Sequence, residues 1–232
     1  MGLGHRTASH YLKIEQTLHE MGLTMTTFKY SVLCALILWA GAVHAAESDT
    51  PEAKEIKQTI KLYQGVLSFP PPMWVKEVKD LGNSKFYRDQ QRNLFTLEQI
   101  PKDQEFEKWT NLYGVYGFHL PEYDMKRFVD ESLNALALGC KVQAKSKIVS
   151  AQDGKIIMTF FCTDLRDPLV VDGYNTETGF LFMSQVDQSF AKVYMAWRSK
   201  QEYRNTDKWP MNKETVTEVI DRMMKIQYFK AE

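Results

Sequence analysis

The sequence predicts an α+β fold, an antiparallel β-sheet meander packed against helices in a single domain. Three observations predict it. Asp124 and Asn212 stand as helix caps ahead of apolar stripes. Past Gly139 the hydrophobic period changes from helical to alternating. Asp153-Gly154, a strong short hairpin signal, separates two of the alternating runs.

Taken in order, Thr50-Pro51 reads as N-cap and first turn of a helix running through Ile56, Ile60 and Tyr63 to Gly65. Phe69-Pro70-Pro71-Pro72-Met73-Trp74 cannot be helical, and its flanking aromatics are expected to pin a polyproline II segment to the body. A partner could instead read it as a proline ligand, but the chain has no Pro-x-x-Pro repeat there. Asn93 to Ile100 reads as a strand stopped by Pro101. Phe106, Trp109, Leu112, Tyr113 and Tyr116 fall at helical spacings and predict a helix with an aromatic face. A second helix is predicted from Asp124 through Phe128, Val129 and Leu136 to Gly139.

Lys141–Ala151 and Lys155–Thr163 then form a predicted hairpin, and Phe180–Val186 with Ala191–Arg198 a second one around Asp187-Gln188-Ser189. Asn212 caps a terminal helix with a stripe of Val216, Val219, Ile220, Met223 and Gln227. His119 is expected as a connector between the two middle helices, exposed or capping rather than catalytic. The stretch from Asp164 to Gly179 is a loop rich in Asp, Asn and Gly. Calcium takes six to eight oxygens, but the spacing misses the EF-hand pattern, and solvated turns use the same residues for backbone reasons.

Ahead of all this lies an apolar run, Val32 to Val43, preceded by Lys29 and followed by Val43-His44-Ala45. A run that short suits a signal-peptide core of roughly 7 to 15 residues, not the roughly 20 of a membrane span. Cleavage is expected after Ala45, and Met25 makes a better start than Met1. Cys34 precedes apolar residues and is not a lipobox cysteine, so lipid anchoring is not expected. The chain is therefore expected to divide into residues 1–24, an over-extended N-terminus; 25–45, the signal peptide; 46–85, the N-terminal helix and Pro-rich segment; and 86–232, the α+β domain.

The whole chain has 29 Lys+Arg against 29 Asp+Glu, with 44% apolar and 12% aromatic residues, the composition of a folded protein without a wholesale basic footprint. Removing residues 1–45 takes Arg6, Lys13 and Lys29 against Glu15 and Glu20, leaving 26 basic and 27 acidic groups. Near-neutrality thus belongs to the mature domain and argues against nucleic acid as a partner. Four of the five histidines leave too, and only His119 stays. The two remaining cysteines, Cys140 and Cys162, read as one disulfide of an oxidising compartment, with a reactive thiol as the lesser alternative.

That depletion limits the chemistry. Imidazole-thiolate zinc sites lack ligands, and neither a Gly-x-Ser-x-Gly elbow, a Walker loop nor a Gly-x-Gly-x-x-Gly fingerprint occurs. No catalytic residue, metal or cofactor is expected, although carboxylate chemistry stays open by count. Trp74, Tyr113, Trp197, Asp172 and Tyr174 are the candidates for a ligand or partner surface.

The phrase Phe95-Thr-Leu-Glu98-Gln-Ile-Pro101-Lys-Asp-Gln-Glu105-Phe-Glu-Lys-Trp109-Thr110 resembles one found in small exported Gram-negative proteins, a strand ending in Glu-x-Ile-Pro before a Trp-Thr helix. Continued by a meander ending near Tyr194-Met-Ala-Trp197-Arg198, the arrangement is similar to the PsbP-like α/β/α sandwich over roughly Phe86 to Phe229. The resemblance implies a binding module without catalytic residues. The expected function is therefore an exported, non-enzymatic protein-binding module, a secreted virulence or cell-envelope factor with an unidentified protein partner. No stable membrane insertion is expected after signal cleavage. The alternatives are a carboxylate-based hydrolase of extracellular glycan, and a small-ligand carrier with a pocket of ~300–1,000 Å³ near Trp74, Tyr113 or Trp197.

Overall fold

The computed structural model describes residues 56–232. The over-extended start, the signal peptide and the Thr50-Pro51 helix start lie outside the described residues. Ten strands and two α-helices follow, and the class is α+β, as expected. β1 (Gln58–Leu62) and β2 (Gly65–Phe69) form a hairpin, and β10 (Gln227–Lys230) pairs on the other side of β2 to give a three-stranded sheet. The larger sheet has seven antiparallel strands in the order β3-β4-β5-β9-β8-β7-β6. Its members are β3 (Ser84–Gln90), β4 (Leu94–Pro101), β5 (Asn111–His119), β6 (Lys145–Gln152), β7 (Lys155–Cys162), β8 (Thr176–Val186) and β9 (Ser189–Ser199). Helix α1 spans Met125–Leu138 and α2 spans Lys213–Met224.

Both helices start where the sequence places them. The Asp124 carboxylate accepts from the Arg127 amide at 2.7 Å, and the Asn212 side chain accepts from the Thr215 amide at 2.8 Å, each satisfying an amide that the first turn leaves open. The two predicted hairpins also form, β6–β7 around Asp153-Gly154 and β8–β9 around Asp187-Gln188. Gly154 has φ +70° and Asp153 φ +53°, the backbone that makes Asp-Gly a hairpin turn.

Alternation along the central strands sends side chains to two cores. Phe180 and Phe182 of β8 and Val193 and Met195 of β9 join the cluster holding Val219 and Met223 of α2 with Leu62, Leu67 and Tyr228 of the small sheet. Leu181, Met183, Phe190 and Tyr194 point the other way, into the cluster holding Phe128 of α1. Phe128 stacks on Phe190 at 4.6 Å and meets Phe118 edge-on at 5.2 Å.

Three expectations fail. The helix expected to run through Ile56, Ile60 and Tyr63 to Gly65 is the β1–β2 hairpin. Its two-residue turn, Tyr63-Gln64, has Tyr63 at φ +56° and carries none of the usual turn residues. Gly65, read as a helix end, instead leaves room for the Tyr228 ring, which a Cβ would strike. The aromatic stripe is likewise not a helix. Lys102 to Thr110 is turn, and the rest is β5, with Leu112 and Phe118 on one face and Tyr113 and Val115 on the other. A strand buried on both faces loses the polar alternation that would mark it. Finally, Gln227 does not extend the α2 stripe; the helix ends at Met224 and Gln227 opens β10.

Two smaller differences follow. His119 ends β5 and precedes α1, and among the described residues no α-helix comes before it. Residues Thr176–Gly179, assigned to the Asp-rich loop, belong to β8. Pro101 does close its strand, paired with Ser84. The proline segment is pinned as expected: Pro70, Pro71 and Pro72 are buried, Tyr113 O–H donates to the Pro70 carbonyl at 2.7 Å, and Arg222 Nη1 donates to that of Pro71 at 3.0 Å.

Candidate functional site

Trp74, Tyr113 and Trp197, far apart in sequence, come together. Tyr113 stands on β5 and Trp197 on β9, while the proline strap ends in Met73 and Trp74; with Asn111, Leu112, Met195 and Ala196 they line one cleft. Trp74 Nε1 donates to Ser84 Oγ at 2.9 Å, and Tyr113 stacks on Phe69 at 6.4 Å. Burial pushes the Tyr113 hydroxyl far above its ordinary value, with Arg222 opposing, so it stays a neutral donor to the strap. The cavity is about 20 Å³, room for one water and far below the ~300–1,000 Å³ of a small-molecule site. These aromatics pack in and against the core and do not form the pocket that the small-ligand alternative requires.

Asp172 and Tyr174 sit elsewhere, on the loop between β7 and β8. Asp172 and Gly173 both have positive φ, 52° and 81°, in a tight turn closed by the Val171–Tyr174 bridge. Asp172 is exposed and lies 3.7 Å from Lys108 Nζ, and the Lys200 ammonium lies 5.9 Å from the Tyr174 ring centre. Lys141 Nζ bridges Asp167 at 2.7 Å and Asp164 at 3.6 Å. The loop's carboxylates are thus paired with lysines, and among the described residues no three His, Cys, Asp or Glu side chains converge as a metal site would need. At the root of this loop Cys140 and Cys162 form the expected disulfide, with Cα atoms 5.8 Å apart.

Sequence reasoning missed two buried polar clusters on the α1 side of the large sheet. Glu177 and Arg198 are cross-strand partners on β8 and β9, each side chain 2% exposed. Arg198 Nε donates to Glu177 Oε2 at 2.9 Å, the Tyr194 hydroxyl donates to Oε1, and the guanidinium lies 4.0 Å from the Trp109 ring centre. Both members of the ion pair are buried, and the pair serves the fold.

The second cluster centres on Glu98 of β4. Tyr116 O–H donates to it at 2.7 Å, and Tyr87 is its cross-strand partner on β3. Gly114, opposite Glu98, makes this geometry possible, because a Cβ there would meet the Tyr116 ring at 2.5 Å. Burial raises the Glu98 carboxyl above the usual carboxylate range, and the Tyr116 bond pulls the other way. His119 is a third polar group of note: its ring stacks on Tyr63 at 5.9 Å, and Nδ1 is buried without a hydrogen-bond partner among the described residues.

The surfaces differ from the interior in kind. Both outer strands of the seven-stranded sheet expose large apolar side chains: Phe86 on β3 is 57% exposed, and Ile148 on β6 is 55% exposed. Val78, in the 3₁₀ turn before β3, is 68% exposed. Among the described residues no helix is long and apolar enough to cross a membrane.

No protein-family model matches the chain. No curated protein matches it in sequence. Among solved structures it is similar to the 1.9 Å crystal structure of the Saccharomyces cerevisiae Ran-binding protein Mog1p, with TM-score 0.45 and 13% identity over 75% of this chain and 96% of that one. A mutant of protein Mog1 matches with TM-score 0.44 and 13% identity, over 74% and 95% of the two chains. Neither match assigns a partner or an activity to this chain.

Proposed function

We propose that the chain is an exported, non-enzymatic protein-binding module, a secreted virulence or cell-envelope factor of a Gram-negative bacterium built on a PsbP-like α/β/α sandwich. The observation that carries the binding reading is the pair of sheet edges that no described strand covers, each bearing a large exposed apolar side chain, Phe86 on β3 and Ile148 on β6. An edge strand offers unpaired backbone N–H and C=O groups, and an apolar side chain beside them rewards a partner that covers both. A helix-bearing core on each face of the large sheet supports the layered arrangement. The Cys140–Cys162 disulfide fits an oxidising compartment.

The alternatives gain no such observation. The cavity at Trp74 is about 20 Å³, far smaller than a small-ligand site needs there. Glu98 and Glu177, the most deeply buried carboxylates, are each engaged by a tyrosine hydroxyl inside the fold. The test is retention of a protein partner from envelope or host-cell lysate by mature protein, with Phe86→Asp and Ile148→Asp variants alongside. Loss of the retained protein in either variant is the expected result. A wild-type protein that stays monomeric and retains nothing refutes the reading.

A further inference from the structure

We infer that the β6 edge is a docking site for an extended acidic segment of a protein partner, which pairs with it as an eighth strand. This rests on the protein-binding reading and names the surface and the partner's chemistry. All of β6 except Ser150 is exposed, and among the described residues no strand pairs with its outer edge.

Register sorts its side chains. Lys145 opposes Phe161 and Lys147 opposes Thr159, placing both lysines on one face of the β6–β7 pair, while Ile148 opposes Met158 on the other. A third cation joins the lysine face, since the Arg204 guanidinium lies 5.1 Å from the Phe161 ring centre. Among the described residues none of these three cations has a carboxylate partner. The loop that carries Arg204 also holds Glu202 and Asp207, and Asp153 lies in the β6–β7 turn. The strand itself thus carries Lys145 and Lys147 and no acidic residue on one face, with Ile148 on its reverse side.

Three physical arguments select the occupant. A second copy of β6 carries the same lysines and no acidic side chain, so it offers Lys145 and Lys147 no counter-charge in any register, and where the lysines align the directly opposed like charges destabilise the pair. The register shift between Ile148 and Ser150 further breaks the edge for a regular copy of itself. An anionic membrane is flat and cannot meet Lys145 and Ile148 together, because they project from opposite faces of the strand. A strand laid along the edge meets both. Its pattern follows from period two: acidic side chains opposite Lys145 and Lys147, and an apolar one opposite Ile148.

The experiment titrates full mature protein with a synthetic ten-residue peptide alternating glutamate and valine, read by amide hydrogen exchange. Protection confined to 145–152 is expected, and a peptide with lysine in place of glutamate should bind at least tenfold more weakly. The doubly charge-reversed protein, Lys145→Glu with Lys147→Glu, should invert that preference; both positions are exposed, so its fold should be intact by circular dichroism. Equal binding of the two peptides, protection outside β6, or phosphatidylglycerol vesicles bound in place of the peptide overturns the assignment. A lysate partner that survives the β6 charge reversal but is lost with Phe86→Asp also overturns it, while leaving the protein-binding reading standing.

Discussion

Replacing Arg198 with methionine should be among the most damaging single substitutions in the fold, and restoring neutrality should undo most of the damage. Arg198 and Glu177 are each 2% exposed and meet at 2.9 Å. In the Arg198→Met protein the Glu177 carboxylate stays buried with the Tyr194 hydroxyl but loses its counter-charge. Removing one partner of a buried pair costs about 3–5 kcal/mol. Against a typical total of about 5–15 kcal/mol that is from about a fifth to the whole of the stability. With about 2–4 °C per kcal/mol for a chain of this size, the melting temperature should fall by about 6–20 °C. Adding Glu177→Gln removes the stranded charge and keeps an oxygen for Tyr194. The double variant should therefore lie within about 2 kcal/mol of the parent, which requires a coupling of more than about 1 kcal/mol in the cycle. Urea unfolding followed by tryptophan fluorescence and circular dichroism on all four proteins measures it. A coupling below about 0.5 kcal/mol, or a single-variant loss below about 1 kcal/mol as for an exposed pair, refutes the reasoning.

Removing the disulfide by Cys140→Ala with Cys162→Ala frees a loop with a separation of 22 residues and should cost about 3 kcal/mol, seen as a lower urea midpoint that added reductant no longer shifts. Gly179→Ala should destabilise by about 3 kcal/mol or more, because a Cβ there lands on the Met195 carbonyl oxygen and within 2.9 Å of the Phe160 ring; calorimetry checks it. Glu98→Gln should change the pH dependence of stability. The folded Glu98 carboxyl titrates above its unfolded value, so its contribution is present at low pH and lost as pH rises past ordinary carboxylate values. The variant should therefore gain on the parent as pH rises above about 4, the ordinary carboxylate value, and urea midpoints that stay parallel from there through neutral pH refute the assignment.

Legibility in the sequence followed the locality of the signal. Asp124, Asn212 and Asp153-Gly154 act within a few residues, and the helices and hairpin they mark form where they stand. The failures came where tertiary contacts decide. Leu112 to Phe118 shows helical spacing because both faces of β5 are covered, one by each core, so nothing in the string alternates with water. Ile60 and Leu62 belong to a strand that exists because Leu67 and Tyr228 complete its sheet, and Tyr228 lies 166 residues from Leu62. The Glu177–Arg198 pair was within reach of the sequence. Counting outward from the correctly placed turn, Val186 faces Ser189, and nine residues further along each strand lie Glu177 and Arg198. The meeting of Trp74 with Tyr113 and Trp197 has no such local rule, since it depends on where the proline strap crosses the sheet.

The strap also explains why the first and last described segments behave as one piece of architecture. β2 lies between β1 and β10, so the strand just before the prolines is held by the last strand of the chain. The prolines cannot donate hydrogen bonds, and two of their carbonyls are met instead by Tyr113 of β5 and Arg222 of α2. Arg222 is itself held by Glu218, which Lys76, just beyond the strap, bonds at 2.6 Å. The small sheet, the strap and α2 thus close over the same face of the large sheet through each other. With that face covered and α1 over the core opposite, the outer strands are the edges of the large sheet that no described strand covers, and the exposed apolar side chains of β3 and β6 stand there.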